Sequence, residues 1–105
     1  MATTAGRLLP HPDLADVALP QVLFALSDPT RLGLVRKLAA RGPLTVTECQ
    51  ASDPAVPKST YSHHLKTLRE AGLVRSEPAG RRRTITLRSD EVELRFPGLL
   101  GAVLN

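Results

Sequence analysis

Ser59, Ser62, His63 and Lys66 stand three or four residues apart in a segment that begins at Pro57 and ends at Gly72. At 100° per residue they share one face of a helix, and Tyr61, Leu65 and Leu68 share the opposite one. The first face is polar, mostly short-chained and positively charged. Short donors and acceptors of this kind can reach the edges of base pairs without blocking the approach of the helix that carries them. A few residues later come Arg81, Arg82 and Arg83, three guanidinium groups suited to phosphate oxygens and to a narrow minor groove. The chemistry on offer is hydrogen bonding and charge neutralisation rather than bond making. There is no glycine-rich phosphate loop, no metal-ligand cluster, and no serine, histidine and acid set with a pocket around it. Neither an enzymatic activity nor a cofactor is expected.

The surrounding sequence supplies the elements that would position these groups. The stretch Pro57 to Leu87 reads as a short amphipathic helix, a glycine stop, a strand Leu73 to Glu77, a basic turn Pro78 to Arg82, and a second strand Arg83 to Arg88. In the second strand Thr84 and Thr86 alternate with Ile85 and Leu87, leaving one apolar face. Upstream, Asp28-Pro29 is a helix start: the carboxylate caps an unpaired N–H, and proline fits the first turn. Leu32, Leu34, Val35 and Leu38 form its buried stripe, and Gly42-Pro43 ends it. Thr45 or Thr47 can cap a further short helix, with Glu48 in its first turn. Residues 13–27 have near-helical apolar spacing interrupted by Pro20, which either kinks one helix or begins a second. Ser89-Asp90-Glu91 looks like a cap and acidic first turn, and Pro97 restarts an apolar terminal helix. The expected fold is mainly α with a small β-hairpin, a winged helix-turn-helix of order α-α-α-α-β-β-α. One helix would enter the major groove and a charged hairpin would lie on the backbone beside it. Residues 1–12, with Gly6, Pro10 and Pro12, are expected to form a flexible tail, and residues 13–105 the domain.

Composition narrows the partner. The chain has 105 residues, one domain's worth, and a net charge of +4. Residues 58–88 hold eight basic and two acidic side chains, a balance of +6; the remainder holds six basic and eight acidic, or −2. A cationic segment on an otherwise slightly acidic chain is the footprint of a polyanion binder. Aromatics are limited to Phe24, Tyr61 and Phe96, too few for base-stacking platforms, so double-stranded DNA is the expected polyanion. The single cysteine, Cys49, rules out an intramolecular disulfide. No apolar run approaches the roughly 20 residues of a membrane span. The N-terminal residues have no long apolar stretch, and a cytoplasmic protein is expected.

Three stretches in order resemble the ArsR/SmtB family of bacterial transcriptional repressors: Leu23-Phe24-Ala25-Leu26-Ser27-Asp28-Pro29-Thr30-Arg31-Leu32, then Ser59-Thr60-Tyr61-Ser62-His63-His64-Leu65-Lys66-Thr67-Leu68, then Glu70-Ala71-Gly72-Leu73-Val74. The resemblance covers residues 14–104. It implies a homodimer, formed through the first and last helices, on a pseudo-palindromic operator, released by an inducer. It implies DNA-reading roles for Ser59, Thr60, Ser62 and His63, with Lys58 beside them, and backbone contacts for Lys66, Arg81, Arg82 and Arg83. Leu14, Val17, Leu99, Leu100, Val103 and Leu104 become the expected dimer interface. The chain departs from the family's metal sensors. Their cysteine pair corresponds to Thr45 and Thr47, and a hydroxyl is a poor ligand for soft or borderline metals. Their terminal-helix site uses Asp and His, whereas this chain has Asp90, Glu91 and Glu93 and no histidine after His64. The resemblance therefore supports DNA binding without a metal site, and leaves as the signal a small molecule bound near the dimer interface, another non-metal signal, or none.

His63 and His64 point about 100° apart on a helix. His63 lies on the reading face; His64, nearer the apolar face, is expected to be structural. Cys49 reads as a small core residue, because a redox switch would need an exposed, activated thiolate. The competing reading of the whole chain is a winged helix used for protein contact or as a non-specific chromosomal protein.

Overall fold

A computed structural model describes residues 9–104. Asp13 opens a 3₁₀ turn, Leu14–Asp16, by accepting a hydrogen bond from the Ala15 N–H. Helix α1 (Leu19–Leu26) follows with Pro20 in its first turn. Pro20 thus begins a helix rather than kinking one, since its missing N–H falls among donors that have no partner within the helix. Helix α2 (Pro29–Arg41) starts where the sequence placed it. Asp28 Oδ2 accepts from the Arg31 N–H at 3.0 Å, and Pro29 fills the first position.

Two residues, Leu44–Thr45, then form a short strand, β1, before helix α3 (Val46–Ala51). Thr45, not Thr47, is the cap. Its hydroxyl accepts from the Glu48 N–H at 3.1 Å while the Glu48 carboxylate accepts from the Thr45 N–H at 2.9 Å. Helix α4 (Lys58–Glu70) begins after Pro57 and stops before Gly72, whose φ is +78°. Only glycine suits that turn: the backbone is left-handed, and a Cβ would lie 3.1 Å from the Leu14 side chain.

The hairpin is formed by β2 (Val74–Ala79) and β3 (Arg82–Leu87), paired antiparallel from Val74↔Leu87 to Ala79↔Arg82. Its loop is Gly80-Arg81, shorter than the five-residue tip the sequence suggested. The ladder continues through Pro78 because the strand order is β1-β3-β2, and proline is tolerated on an edge strand. Gly80, with φ +64°, supplies the positive φ that a glycine-first two-residue hairpin requires. Two helices follow where the expected order had one: α5 (Ser89–Arg95) and α6 (Leu99–Leu104), separated at Phe96-Pro97-Gly98. Ser89 begins α5 rather than capping it.

Val22, Leu34, Val35, Tyr61, Leu68, Leu73, Val74, Ile85 and Val92 are fully enclosed where the helices meet the sheet. Leu14, Val17 and Leu100, expected at a subunit interface, belong to this same core. A small domain needs them to enclose its own centre. Leu99, Val103 and Leu104 pack against the core and stay partly exposed. Of the expected tail, residues 1–8 lie outside the described residues. Its end is held: His11 Nε2 accepts from the Ser76 N–H at 2.9 Å, and the Pro12 carbonyl accepts from Arg88 Nη1 at 2.9 Å.

Candidate nucleic-acid interface

Helix α4 divides as its periodicity requires. Tyr61 and Leu68 are buried and Leu65 is half-buried, while Lys58, Ser59, Thr60, Ser62, His63 and Lys66 are exposed. All six expected contact residues of this helix therefore lie on its outer surface.

Two polar clamps hold the helix from beneath, and neither was legible in the sequence. In the first, the buried Arg31 of α2 donates from Nε to the Ala25 carbonyl at 2.7 Å and from Nη2 to the Phe24 carbonyl at 3.3 Å. Its Nη1 lies 3.1 Å from His64 Nδ1. Arginine only donates, so Nδ1 must accept. The imidazole proton then sits on Nε2, 3.8 Å from Asp28 Oδ2. The Asp28 carboxyl is held below its ordinary range first by the Arg31 backbone N–H. His64 is thus a structural residue, as expected, and α4 is tied to the cap of α2. In the second clamp Tyr61 Oη donates to Asp53 Oδ2 at 3.3 Å, and Lys37 Nζ approaches the same oxygen at 3.1 Å. This joins α2, the turn between α3 and α4, and α4 itself. Burial pushes the Tyr61 hydroxyl well above its usual range, so it remains a donor.

The hairpin has an anchored base and a bare tip. Ser76 of β2 is the anchor point. Its N–H donates to His11, its Oγ accepts from Arg83 Nε at 2.9 Å, and its carbonyl accepts from Arg83 Nη2 at 3.1 Å. Arg83 is therefore folded back onto the hairpin, whereas Arg81 and Arg82 are exposed at its end. Two more basic residues serve the fold. Arg88, buried, and Arg75 converge on Glu91 at 2.7 Å and 3.1 Å, and the hydrogen bond from Arg88 is the main reason the carboxyl falls to about 2. The eight basic residues of the cationic segment thus split: Arg75, Arg83 and Arg88 act within the chain, Arg69 is half-buried, and Lys58, Lys66, Arg81 and Arg82 face outward. Charge counting could not separate them, because bonding partners such as Ser76 and the Pro12 carbonyl carry no charge. Cys49 is fully buried and its thiol is pushed up to about 11 by burial, the setting of a core residue.

A model described as a helix-turn-helix domain matches residues 26–77. The chain is 36% identical over 80 residues to the HTH-type transcriptional regulator YceK of Bacillus subtilis (strain 168), covering 76% of this chain and 80% of that one. Over 65 residues it is 45% identical to the arsenical resistance operon repressor of Escherichia coli (strain K12), covering 60% of this chain and 54%, just over half, of the repressor. A solved structure described as an ArsR family transcriptional regulator, RHA00566, superposes with a TM-score of 0.65 at 28% identity, covering 80% of this chain and 90% of that one. The chain belongs to the ArsR family of winged helix-turn-helix transcriptional regulators.

As an ArsR-family chain it is a DNA-binding regulator and not an enzyme. In that fold α4 is the second helix of the helix-turn-helix and the β2–β3 hairpin is the wing. At Thr45, one of the two positions where the resemblance would place a metal-binding cysteine, the hydroxyl is committed to capping α3. No helix among the described residues is long and apolar enough to cross a membrane. One feature of the surface had no clear sequence signal. Leu19, Leu23 and Phe24 on α1 and Leu94 on α5 are exposed, Phe24 by 64% and Leu94 by 87%. Periodicity alone assigns such leucines to a core; only the packed chain reveals which of them the core leaves out.

Proposed function

We propose that this chain is a homodimeric, sequence-specific repressor, released from a pseudo-palindromic operator by a signal other than a metal ion. The observation that carries the reading is the outer face of α4. Ser59, Thr60, Ser62 and His63 are exposed on a helix whose inner face is fixed by Arg31, His64, Tyr61 and Asp53. Base readout needs such a helix, because hydrogen bonds to base edges reward only donors held in place. Lys58, Lys66, Arg81 and Arg82 supply the salt-dependent backbone term.

Leu19, Leu23, Phe24 and Leu94 support the dimer. Four large apolar side chains are exposed on α1 and α5, and a partner would cover them. This moves the expected interface outward from Leu14, Val17 and Leu100 while keeping it on the first and terminal helical regions. A two-fold dimer would engage half-sites about one helical turn apart. The non-metal signal is supported by the hydroxyls at Thr45 and Thr47 and by the enclosed thiol of Cys49.

The deciding measurement is fluorescence anisotropy on DNA from upstream of the chain's own gene, with a shuffled duplex as competitor and salt titrated. A preference of about a thousandfold is expected of a specific repressor. Replacing Ser59, Ser62 and His63 together with alanine should remove that preference while leaving salt-dependent binding in place. Equal, steeply salt-dependent binding of both duplexes by the unaltered chain would instead favour a non-specific chromosomal role. Light scattering should give a dimer, and Leu94→Glu should shift it towards the monomer.

A further inference from the structure

Beside the base of the wing, between the end of α2, β3, α5 and α6, lies an open pocket of ≈ 590 Å³. Its size is that of a small-molecule site. Leu38 from the end of α2, Leu87 from β3, and Leu100 and Leu104 from α6 give it apolar walls. Asp90 and Glu93 of α5 are exposed at its rim, and no Lys or Arg is among the residues that line it. Glu93 Oε1 also accepts from the Gly98 N–H at 3.0 Å, which ties α5 to the turn before α6. Apolar walls beneath two carboxylates suit one class of ligand. An anion would meet two like charges, and a neutral apolar molecule would leave both carboxylates unused. A hydrated inorganic cation would gain nothing from the leucines.

We propose that this cavity binds a small organic cation with an apolar body, and that the cation is the releasing signal. The inducer role rests on the repressor reading above; the binding site does not. The cavity is placed for such a role. Its wall includes Thr86 and Leu87, on the strand that continues to Arg82 in the wing. Asp90 stands one turn from Leu94 on α5, so the mouth adjoins the apolar surface assigned to the dimer. An occupant that fits the free arrangement of β3, α5 and α6 better than the operator-bound one lowers operator affinity by that difference and no more.

The test uses two probes of the same shape and opposite charge, tetraphenylphosphonium and tetraphenylborate, in equilibrium dialysis against the full chain without DNA. The phosphonium should bind about tenfold or more tightly than the borate. Asp90→Asn together with Glu93→Gln should bring the two to near parity. Gly101→Leu should abolish binding of the phosphonium. Gly101 lines the cavity and a Cβ there meets nothing within 4 Å, so the new side chain enters open space. Leucine also favours the helix over glycine, so the melting temperature should not fall. Borate binding equal to the phosphonium, or phosphonium binding unchanged in the folded Gly101→Leu chain, would overturn the site. Saturating phosphonium should then weaken operator binding by about tenfold in the unaltered chain and not in Gly101→Leu. An operator complex unmoved by a cation that the free chain binds would overturn the inducer role alone. Failure to prefer any operator would count against the repressor reading and leave the dialysis result standing.

Discussion

On the proposed function, helix α4 and the wing would offer similar side chains to DNA, and the chain supports them differently. Helix α4 is gripped along its inner face by Arg31 with His64 and by Asp53 with Tyr61 and Lys37. The hairpin is held below its tip, where β1 pairs with β3 and the Ser76 N–H donates to His11, and its Gly80-Arg81 loop stands clear. The difference matches what each must do. Base edges are read by hydrogen bonds of fixed geometry, so the helix needs rigidity. Phosphates are met by charge, which tolerates movement, so the tip needs reach.

The largest test of this contrast is Arg31→Ala. It removes the Arg31 donor from the Ala25 carbonyl, while the Phe24 carbonyl keeps Ser27, and it frees His64, which should lower unfolding stability by about 2–4 kcal/mol. Urea titration measures it; a loss under about 1 kcal/mol would mean that Tyr61 and Leu68 hold the helix by packing alone. The next contrast lies between neighbours. Arg83→Ala should cost about 1 kcal/mol of stability and leave the salt dependence of DNA binding unchanged. Arg82→Ala should leave stability within about 0.5 kcal/mol and lower the salt slope by about one. Equal slope changes would show that Arg83 abandons Ser76 on DNA.

A smaller effect concerns the anchor itself. His11 accepts from the Ser76 N–H, so it must be neutral there. Its pKa is lowered from 6.5, first by burial and then by Arg75, Arg69 and Arg88. The unfolded chain therefore takes up the proton first. Stability should be complete above the unfolded value and fall as pH drops below it. Thermal midpoints at about pH 7.5 and 5.5 should differ less in His11→Ala than in the unaltered chain. The Glu91 carboxyl, lowered to about 2 by its arginine partners, loses its contribution only as pH falls from 4.5 towards that value, so the two limbs separate. The smallest expected effect is none. Peroxide should not change the DNA affinity of the unaltered chain or of Cys49→Ser, and a response confined to the unaltered chain would make Cys49 a sensor.

Much of this molecule was legible in its sequence, for local reasons. Asp28-Pro29 and the α4 periodicity act within one or two helical turns, and they fix caps and faces without reference to the rest of the chain. What was not legible depends on distant partners. Arg83 looks like Arg82 until Ser76 is brought beside it, and Arg31 looks like a surface residue until α1 closes over it. Leu14, Leu100 and Leu94 are alike in sequence; only packing sends two inward and leaves one exposed. Strand β1 has two residues, too few for any alternating pattern.

That short strand nonetheless has a mechanical consequence. Thr45 pairs with Thr84 of the wing and also caps α3. The same residue is thus the last of β1 and the cap of α3. On the proposed function, a wing pushed aside by the curvature of a duplex would carry α3 with it instead of yielding alone. The two DNA-facing parts should ride as one lever arm, and stiffness of the base pairs between their footprints should then enter operator choice without any side chain touching them.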